Sequence, residues 1–268
     1  MSIITLTTDW SQNDYYLGAL KGKIYSLCSG AVVVDITHQI PSFDLSQAAF
    51  ILKNSFPFFP KKTVHLIGVN SEAAESRNYL ALYAQGHYFV GADNGIFSLL
   101  LDGEDAEMAI NIKLDEREKN STFPCVSILA RAACYLAEGG KIENLGEVAR
   151  EIYRQVPIMA TIDDSVISGS VIYIDSFQNA ITNINLDLFN RIAKGRAFEI
   201  IVQSNHYKIN KINKHYYETA VGEMLAIFNS AHLLEIAINN GNAAELLNLD
   251  TNSTVRVRFF DEQEIKKL

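Results

Sequence analysis

Short apolar runs in the first half of the chain are separated by segments with helical spacing. Three runs are typical of buried strands, namely Ile3 to Thr7, Ala31 to Ile36 and Val64 to Val69. Residues 17–28 and 44–52 carry apolar positions at the spacing of a helix. Strands that alternate with helices predict right-handed crossovers, so we expect an α/β domain with a mostly parallel sheet over residues 1–160.

Local signals refine this prediction at three places. Asp44 with Gln47 approximates a capping box, which predicts the start of the second helix. Gln85-Gly86 separates two strand-like runs and predicts a hairpin. Residues 126–138 predict a helix that ends at Gly139-Gly140.

After Pro157 the pattern changes to closely spaced runs of strand length, and only Ala243 to Leu247 indicates a helix. The runs are Val166–Ile174, Ala180–Ile184, Phe198–Val202, His206–Ile212, Met224–Phe228, Leu233–Ala237 and Thr254–Phe259. Short strands separated by turn residues predict an all-β, barrel-like domain over residues 165–268. The expected boundary lies between Thr161 and Ser165.

Composition narrows the class of protein. The 268 residues carry 23 basic and 31 acidic side chains, a net charge of −8 that argues against nucleic-acid and membrane-surface partners. We find no targeting or membrane-spanning segment in the sequence. The three cysteines, Cys28, Cys125 and Cys134, form no C-x-x-C pair, which argues against disulfides and a zinc site. We therefore expect a cytoplasmic protein without a bound metal.

Polar residues follow the first three predicted strands. Asp9 comes after the first strand, Thr37-His38 after the second and Asn70-Ser71-Glu72 after the third. Ligands bind outside the carboxyl ends of strands in open parallel sheets, so these residues predict a small-molecule site. Asp9 and Asp14 suit a sugar diol or an amine, although Asp14 equally suits the N-cap of the following helix.

Signatures of the common nucleotide and hydrolase sites are absent from the sequence, including G-x-G-x-x-G, the P-loop, G-x-S-x-G and H-E-x-x-H. Asp93-Asn94-Gly95, Asp175 to Asn179 and Asn229-Ser230 are ordinary turn signals when taken alone. Residue spacing by itself therefore indicates only a soluble two-domain protein with a small-molecule site.

Taken in order along the chain, these segments resemble the S-adenosyl-L-methionine (SAM) hydroxide adenosyltransferase family, which is related to the fluorinase and chlorinase enzymes. The matching segments are Leu6–Asp9 with Asp14, Gly18 and Lys21-Gly22; Val34–Ile40; Ser46–Phe50; Phe58–Pro60 with Thr63–His65; Asp93–Gly95; Gly169–Asn179 with Ile181–Asn183; Asn229-Ser230; and Leu234–Ala237. Each segment is weakly specific, but the ordered set covers nearly the whole chain.

The resemblance implies an α/β domain, a β-barrel-like domain and a homotrimer whose sites lie between neighbouring subunits. It also implies displacement at the ribose C5′ of SAM, with no cofactor beyond SAM as substrate. The implied binding roles are Asp9 and Phe43 at the ribose, Asp14, Asp175 and Ser230 at the methionine end, and Phe177, Asn179 and Tyr216 at the adenine. Carboxylates suit an ammonium and a diol, and aromatic rings suit a purine face.

The catalytic positions of the hydrolase branch depart from the family pattern. Asn70 stands where the pattern has Asp, and Pro124 stands where it has His, whereas Arg77 keeps its spacing. Loss of a general base typically lowers a rate by about 10²- to 10⁴-fold. Glu72 or Glu75, on the altered loop, is a candidate replacement.

Two hypotheses follow from this mixture of kept and altered residues. The chain is either a slow SAM hydrolase that releases adenosine and L-methionine, or a protein that binds adenosine or SAM without turnover. Altered chemistry on another adenosyl compound is a third alternative. The halogenase branch fits less well because the segment after Arg77 is short, although Cys125 falls where those enzymes carry a halide-contacting Ser.

Overall fold

The computed structural model describes residues 2–73, 78–204 and 206–261. The chain divides into two units, residues 1–157 (the first unit) and residues 158–268 (the second unit). That these units are separate domains with the bounds 1–160 and 165–268 stays a prediction.

A mixed sheet organises the first unit. Its strands are β1 (Ser2–Thr8), β2 (Ala31–Thr37), β3 (Val64–Gly68), β4 (Tyr79–Ala84), β5 (His87–Ala92), β6 (Met108–Ile112) and β7 (Gly146–Val148), in the order β2-β1-β3-β5-β4-β6-β7. The pairs β1–β2, β1–β3 and β3–β5 are parallel, and the pairs from β5 to β7 are antiparallel. The sheet is thus mixed rather than mostly parallel, because the β4–β5 hairpin reverses the chain within it.

Helices cover both faces of this sheet. They are α1 (Tyr15–Leu27), α2 (Leu45–Lys53), α3 (Ile96–Leu100) and α4 (Ala130–Ala137). Neighbouring residues of β3 point to opposite faces: Leu66 packs in the core under α1 and α4, and Ile67 packs in the core under α2 and α3. No helix among the described residues is long and apolar enough to cross a bilayer.

The local signals of the first unit appear as expected, with one addition. The Asp44 side chain accepts a hydrogen bond from the Gln47 backbone N–H at 2.9 Å and caps α2. Gln85 and Gly86 both have positive φ, as a two-residue hairpin requires. The helix expected over residues 126–138 begins with a π-helical turn, Cys125–Leu129, before α4.

The second unit is one nearly closed, barrel-shaped sheet. Its strands are β8 (Thr161–Asp163), β9 (Val166–Ile174), β10 (Ala180–Asn185), β11 (Ala197–Val202), β12 (Lys208–Ile209), β13 (Ile212–Asn213), β14 (Met224–Phe228), β15 (Leu233–Ile238) and β16 (Thr254–Phe260). They run in the order β12-β11-β16-β9-β10-β15-β14-β13, with β8 paired to β9. Buried and exposed residues alternate along β16, so one face of that strand lines the core.

Two helices interrupt this sheet, α5 (Leu186–Ala193) and α6 (Ala243–Leu246). The sequence analysis predicted α6 but not α5. The Asn185 side chain caps α5 by accepting from the Leu188 N–H at 2.7 Å. Phe189 then packs edge-on against Phe198 and Phe259 in the core. The cap residue is also the last residue of β10, so the strand pattern runs directly into the helix and conceals its start.

A chain of buried polar side chains crosses the sheet of the first unit. Thr5 Oγ1 lies 2.7 Å from His65 Nδ1, and His65 Nε2 lies 3.2 Å from His87 Nδ1. All three residues are fully buried, with Phe56 and Phe89 packed against the imidazoles. Burial lowers the pKa of His65 from its usual 6.5 to about 3, and the His87 charge acts in the same direction.

We expect this buried pair to make the protein sensitive to acid. Because the folded pKa of His65 lies below its unfolded value, the unfolded chain binds more protons as the pH falls below 6.5, and stability is lost. Each pH unit below 6.5 lowers the unfolding free energy by about 1.4 kcal/mol until the folded pKa is approached. Urea unfolding at a series of pH values measures this loss.

The His65→Gln variant removes the titrating group, so its stability is expected to change less with pH than that of the unmodified protein. His206→Gln, at an exposed position, is the matched control and keeps the original pH dependence. Parallel stability curves for His65→Gln and the unmodified protein would contradict the assignment.

Candidate functional site

The carboxylate of Asp9 joins the loops that follow three parallel strands. Its Oδ2 accepts a hydrogen bond from the backbone N–H of Phe43 at 2.9 Å and another from that of Asn70 at 3.1 Å. Because β1 pairs in parallel with β2 and β3, the loops after these strands emerge at one edge of the sheet. The structure thus brings Asp9, Phe43 and Asn70 together at this edge.

Both loops that Asp9 holds contain a residue in the left-handed region. Phe43 has φ 68° and Asn70 has φ 44°. This conformation costs roughly 1–2 kcal/mol for a bulky side chain such as that of Phe43, whereas asparagine adopts it more readily. The hydrogen bond that Asp9 accepts from the Phe43 backbone offsets this cost. The Phe43 ring is 69% exposed, so the fixed backbone presents an aromatic face to solvent.

Asn94 holds the Asn70 loop from the opposite side. Its Nδ2 donates to the carbonyl oxygens of Val69 at 3.1 Å and Asn70 at 2.9 Å, and its Oδ1 accepts from the Ile96 N–H at 3.1 Å. The Asn70 backbone is therefore held at its N–H by Asp9 and at its carbonyl by Asn94. Sequence reasoning treated Asn94 as a turn residue, although its position after β5, the neighbour of β3, was a usable signal.

A buried thiol lies beneath this loop. A Cβ on Gly68 would come within 3.1 Å of Cys125 Sγ and of side-chain atoms of Thr8 and Trp10, so a larger residue here would press on all three neighbours. Burial raises the pKa of Cys125 to about 12, while a hydrogen bond with Ser71 acts in the opposite direction. The thiol therefore stays protonated near neutral pH and is not a nucleophile there.

Asp14 occupies the N-cap position of α1, but its side chain makes no capping hydrogen bond. The carboxylate is exposed, which keeps its proposed role in ligand binding open. Trp10 and Tyr16, which flank Asp14 in sequence, both pack edge-on against the ring of Phe123, at centroid distances of 5.3 and 5.1 Å. The rings of Trp10 and Tyr16 are tilted to each other at 5.9 Å.

His38 has a structural environment. Its Nδ1 lies 2.8 Å from Thr8 Oγ1, and its Nε2 faces Asp35 Oδ1 at 3.2 Å. Lys21 reaches the other Asp35 oxygen at 2.6 Å. The residue is 1% exposed, so it braces the ends of β1 and β2 rather than presenting a ring nitrogen to a ligand.

In the second unit, Asp175 organises the hairpin between β9 and β10. Its Oδ1 accepts from the N–H groups of Phe177 at 2.9 Å and Asn179 at 2.8 Å, and its Oδ2 accepts from Asn179 Nδ2 at 3.2 Å. This network is the ordinary turn that the sequence allowed. It also leaves the Phe177 ring 75% exposed at the tip.

A second network in this unit is centred on Glu235, which sequence reasoning missed as a site residue. Tyr216 Oη donates to Glu235 Oε1 at 2.7 Å, and Asn229 Nδ2 donates to Oε2 at 3.1 Å. Burial raises the pKa of Glu235, and the charge of Asp175 adds to this rise. The usable signal was an acidic residue inside an otherwise apolar strand run. Ser230 lies exposed in the turn beside Asn229.

The predicted site residues fall into two groups. Asp9, Asp14, Phe43, Asn70 and Glu72 belong to the first unit, and Asp175, Phe177, Asn179, Tyr216 and Ser230 belong to the second. Glu72 is exposed on the loop after β3. Arg77 and Glu75 lie outside the described residues. Among the described side chains, no group of three or more His, Cys, Asp or Glu could hold a metal ion.

Known proteins match the chain over nearly its full length. Four relatives that match are named (R)-S-adenosyl-L-methionine hydrolase, among them a Methanocaldococcus jannaschii protein that is 30% identical over 99% of this chain and 96% of its own. A fluorinase from an Actinoplanes strain is 23% identical, and the match covers 95% of this chain and 97% of the fluorinase. The crystal structure of an uncharacterized conserved protein from Thermotoga maritima has a TM-score of 0.85 at 26% identity, with 96% of this chain and 99% of that chain covered.

The family models divide along the chain in the same order as the two units. Residues 4–146 match the SAM hydroxide adenosyltransferase N-terminal domain, and residues 169–256 match the corresponding C-terminal domain. Together these matches span well over half of the sequence and include Asp9, Asn70, Asp175 and Glu235. The chain therefore belongs to the SAM hydroxide adenosyltransferase family.

Proposed function

We propose that this chain binds SAM and hydrolyses it to adenosine and L-methionine. We further propose that the reaction is slow, because Asn70 and Pro124 replace the Asp and His of the family pattern. The observation that carries the proposal is the full-length similarity to four proteins named (R)-S-adenosyl-L-methionine hydrolase, at 26–30% identity. The geometry around Asp9 supports it, because a fixed carboxylate lies beside an exposed aromatic ring at the carboxyl edge of a sheet.

The binding part of the proposal begins with Asp9. Both of its backbone hydrogen bonds use Oδ2, and within the described part of the chain Oδ1 has no hydrogen-bond partner. An ionised carboxylate accepts from the two hydroxyls of a ribose diol. Phe43 would pack on the ribose, while Asp14, Asp175 and Ser230 would hold the methionine end. Phe177, Asn179 and Tyr216 would contact the adenine.

The proposed reaction needs little covalent help from the protein. The oxygen of a water molecule attacks C5′ of the ribose, and the C5′–S bond breaks with its electron pair going to sulfur. The sulfonium becomes the neutral thioether of methionine, so the leaving group needs no proton. The water loses one proton, and positioning the water in line is the main requirement.

The residue at the expected base position limits this step. The Asn70 amide hydrogen-bonds a water but does not take its proton, and Pro124 has no hydrogen-bonding side chain. Cys125 is protonated, so it does not replace the missing base. Glu72, exposed on the same loop as Asn70, is the proposed substitute acceptor, and Arg77 is proposed to assist.

Binding without turnover is the second candidate function. The lack of a carboxylate at position 70, where the chain has Asn, favours this candidate. Chromatography of SAM incubated with the protein separates the two candidates. A hydrolase yields adenosine and methionine above the rate in a heat-denatured control, whereas a binding protein gives measurable calorimetric affinity and intact SAM afterwards.

We further propose that the protein is a cytoplasmic homotrimer, with each site formed by the first unit of one subunit and the second unit of its neighbour. The exposed rings of Phe43 and Phe177, one in each unit, suit burial against a ligand or another subunit. Light scattering that gives a mass three times the 29.9 kDa chain would support the trimer, and a monomer mass would contradict it.

Restoring a carboxylate at position 70 is expected to accelerate hydrolysis. Asn70→Asp supplies a proton acceptor on a backbone that Asp9 and Asn94 already hold, so we expect kcat to rise by about 10²-fold, the lower end of general-base effects. Asn210→Asp, at an exposed position in the second unit, makes the same chemical change elsewhere. Equal rates of adenosine release from the two variants would overturn the role given to position 70.

Removing the clamp on the Asn70 loop is expected to lower kcat more than it changes KM. In the Asn70→Asp background, Asn94→Ala loses two donor contacts to the loop, and we expect kcat to fall about tenfold while KM changes less than about twofold. Asn144→Ala, which removes an exposed amide bonded to Tyr135, is the control. An unchanged kcat in a folded Asn94→Ala protein would contradict the role of the clamp.

A further inference from the structure

A carboxylate is buried in the middle of β15, away from the main core of the second unit. Glu235 is 3% exposed. Its neighbours Leu234 and Ile236 point into the main core, whereas Glu235 shares the other face of the strand with the fully buried Ala237. Burying a charge on such a face is unfavourable unless its oxygens are satisfied.

Two neutral donors from separate segments satisfy the carboxylate. Tyr216 donates to Oε1 and Asn229 donates to Oε2, at 2.7 and 3.1 Å. Within the described part of the chain, no Lys or Arg forms an ion pair with Glu235. A hydrogen bond to an ionised group is stronger and more directional than one between neutral groups, so Glu235 fixes both donors.

Each donor carries a group that faces outward. Tyr216 is 43% exposed although its hydroxyl is held by Glu235. Asn229 uses its Oδ1 to accept from the N–H groups of Ala231 at 3.0 Å and Leu233 at 3.2 Å, which closes the turn that contains Ser230. One buried carboxylate thus holds an outward aromatic face and an outward hydroxyl turn.

The Asp175 hairpin is adjacent to the same strand. Strand β10 pairs with β15, with Ile181 opposite Glu235. Burial is the main cause that raises the pKa of Glu235 and of Tyr216, and the charge of Asp175 adds to both rises, so the hairpin lies within electrostatic reach of the pair. Three outward segments that the sequence analysis selected separately therefore surround one carboxylate.

We propose that Glu235 is a positioning residue that holds the Tyr216 ring and the Asn229–Ser230 turn in the conformation that binds an adenosyl ligand. An apolar residue of similar size would fill this position at lower cost, so packing alone does not account for a carboxylate there. A ring held by its hydroxyl loses little freedom when a flat purine stacks on it. The inference rests on the proposed function, because it requires an adenosyl ligand.

Calorimetric titration with adenosine tests the inference. Glu235→Gln puts an amide donor against the Tyr216 or Asn229 donor, and Tyr216→Phe removes only the hydroxyl that Glu235 holds. We expect each change to raise the Kd for adenosine about tenfold, the loss of one hydrogen bond to a charged group. Because the two changes break the same contact, we expect the double variant to bind adenosine with a Kd no more than about tenfold above that of the unmodified protein. Glu245→Gln, at an exposed position of α6, is the control and keeps the original Kd.

The outcomes separate the inference from the proposed function. If the unmodified protein binds neither adenosine nor SAM, both fall. If it binds adenosine and folded Glu235→Gln binds equally well, the positioning role alone is overturned, and a double variant about a hundredfold weaker overturns it as well. If Glu235→Gln does not fold, Tyr216→Phe decides: an unchanged Kd is evidence against the inference, and a tenfold rise supports it.

In the variants that fold, kinetics provide a second readout that a general loss of stability would not move. We expect KM for SAM to rise about tenfold in Tyr216→Phe with kcat changed less than about threefold, since the contact affects binding rather than the reacting atoms. Equal losses in kcat and kcat/KM would overturn the assignment of Glu235 as a residue that positions the binding surface.

Discussion

The two hydrogen bonds that Asp9 Oδ2 accepts set the geometry of the candidate site in the first unit. They fix the loops after β2 and β3 against the end of β1, and they hold Phe43 and Asn70 in left-handed conformations, which a bulky residue such as phenylalanine rarely adopts. Removing the carboxylate would release the Phe43 loop and would leave the Asn70 loop to the hydrogen bonds that Asn94 donates. The same side chain therefore serves structure through Oδ2 and is proposed to serve ligand binding through Oδ1.

The chemistry available at this edge follows from what surrounds Asn70. Its backbone is held by Asp9 and Asn94, and the buried Cys125 thiol, which hydrogen-bonds with the neighbouring Ser71, is protonated. The described groups thus suit the positioning of a water better than its deprotonation. We therefore expect slow hydrolysis, and a faster rate when a carboxylate is restored at position 70.

Much of the fold was predictable because its signals are local. The Asp44 cap, the Gln85-Gly86 hairpin and the alternation of strands depend on residues close in sequence, and each appears in the structure. The helix after Asn185 was missed because its cap is the last residue of a strand. The mixed sheet was missed because the order of strands depends on how a hairpin inserts between distant segments, which no local pattern specifies.

The site was predictable at Asp9, whose position after the first strand of a parallel set places it at the ligand edge. Asn94 and Glu235 carried only weak signals in the sequence, since their roles depend on partners far away in sequence or on burial. Asn94 bonds to residues 24 and 25 positions earlier, and Glu235 is recognised only when Tyr216 and Asn229 meet it. Asp14 was equally a candidate N-cap, and although it occupies that position, its side chain makes no capping hydrogen bond.

The central claim is that water displaces methionine from C5′ at this site. Incubation with SAM in water enriched in oxygen-18, followed by mass spectrometry of the released nucleoside, tests it most directly. The account predicts adenosine that carries the heavy oxygen at its 5′ position, formed faster than in a denatured control. Recovery of intact SAM, or of adenosine without the label, would contradict it.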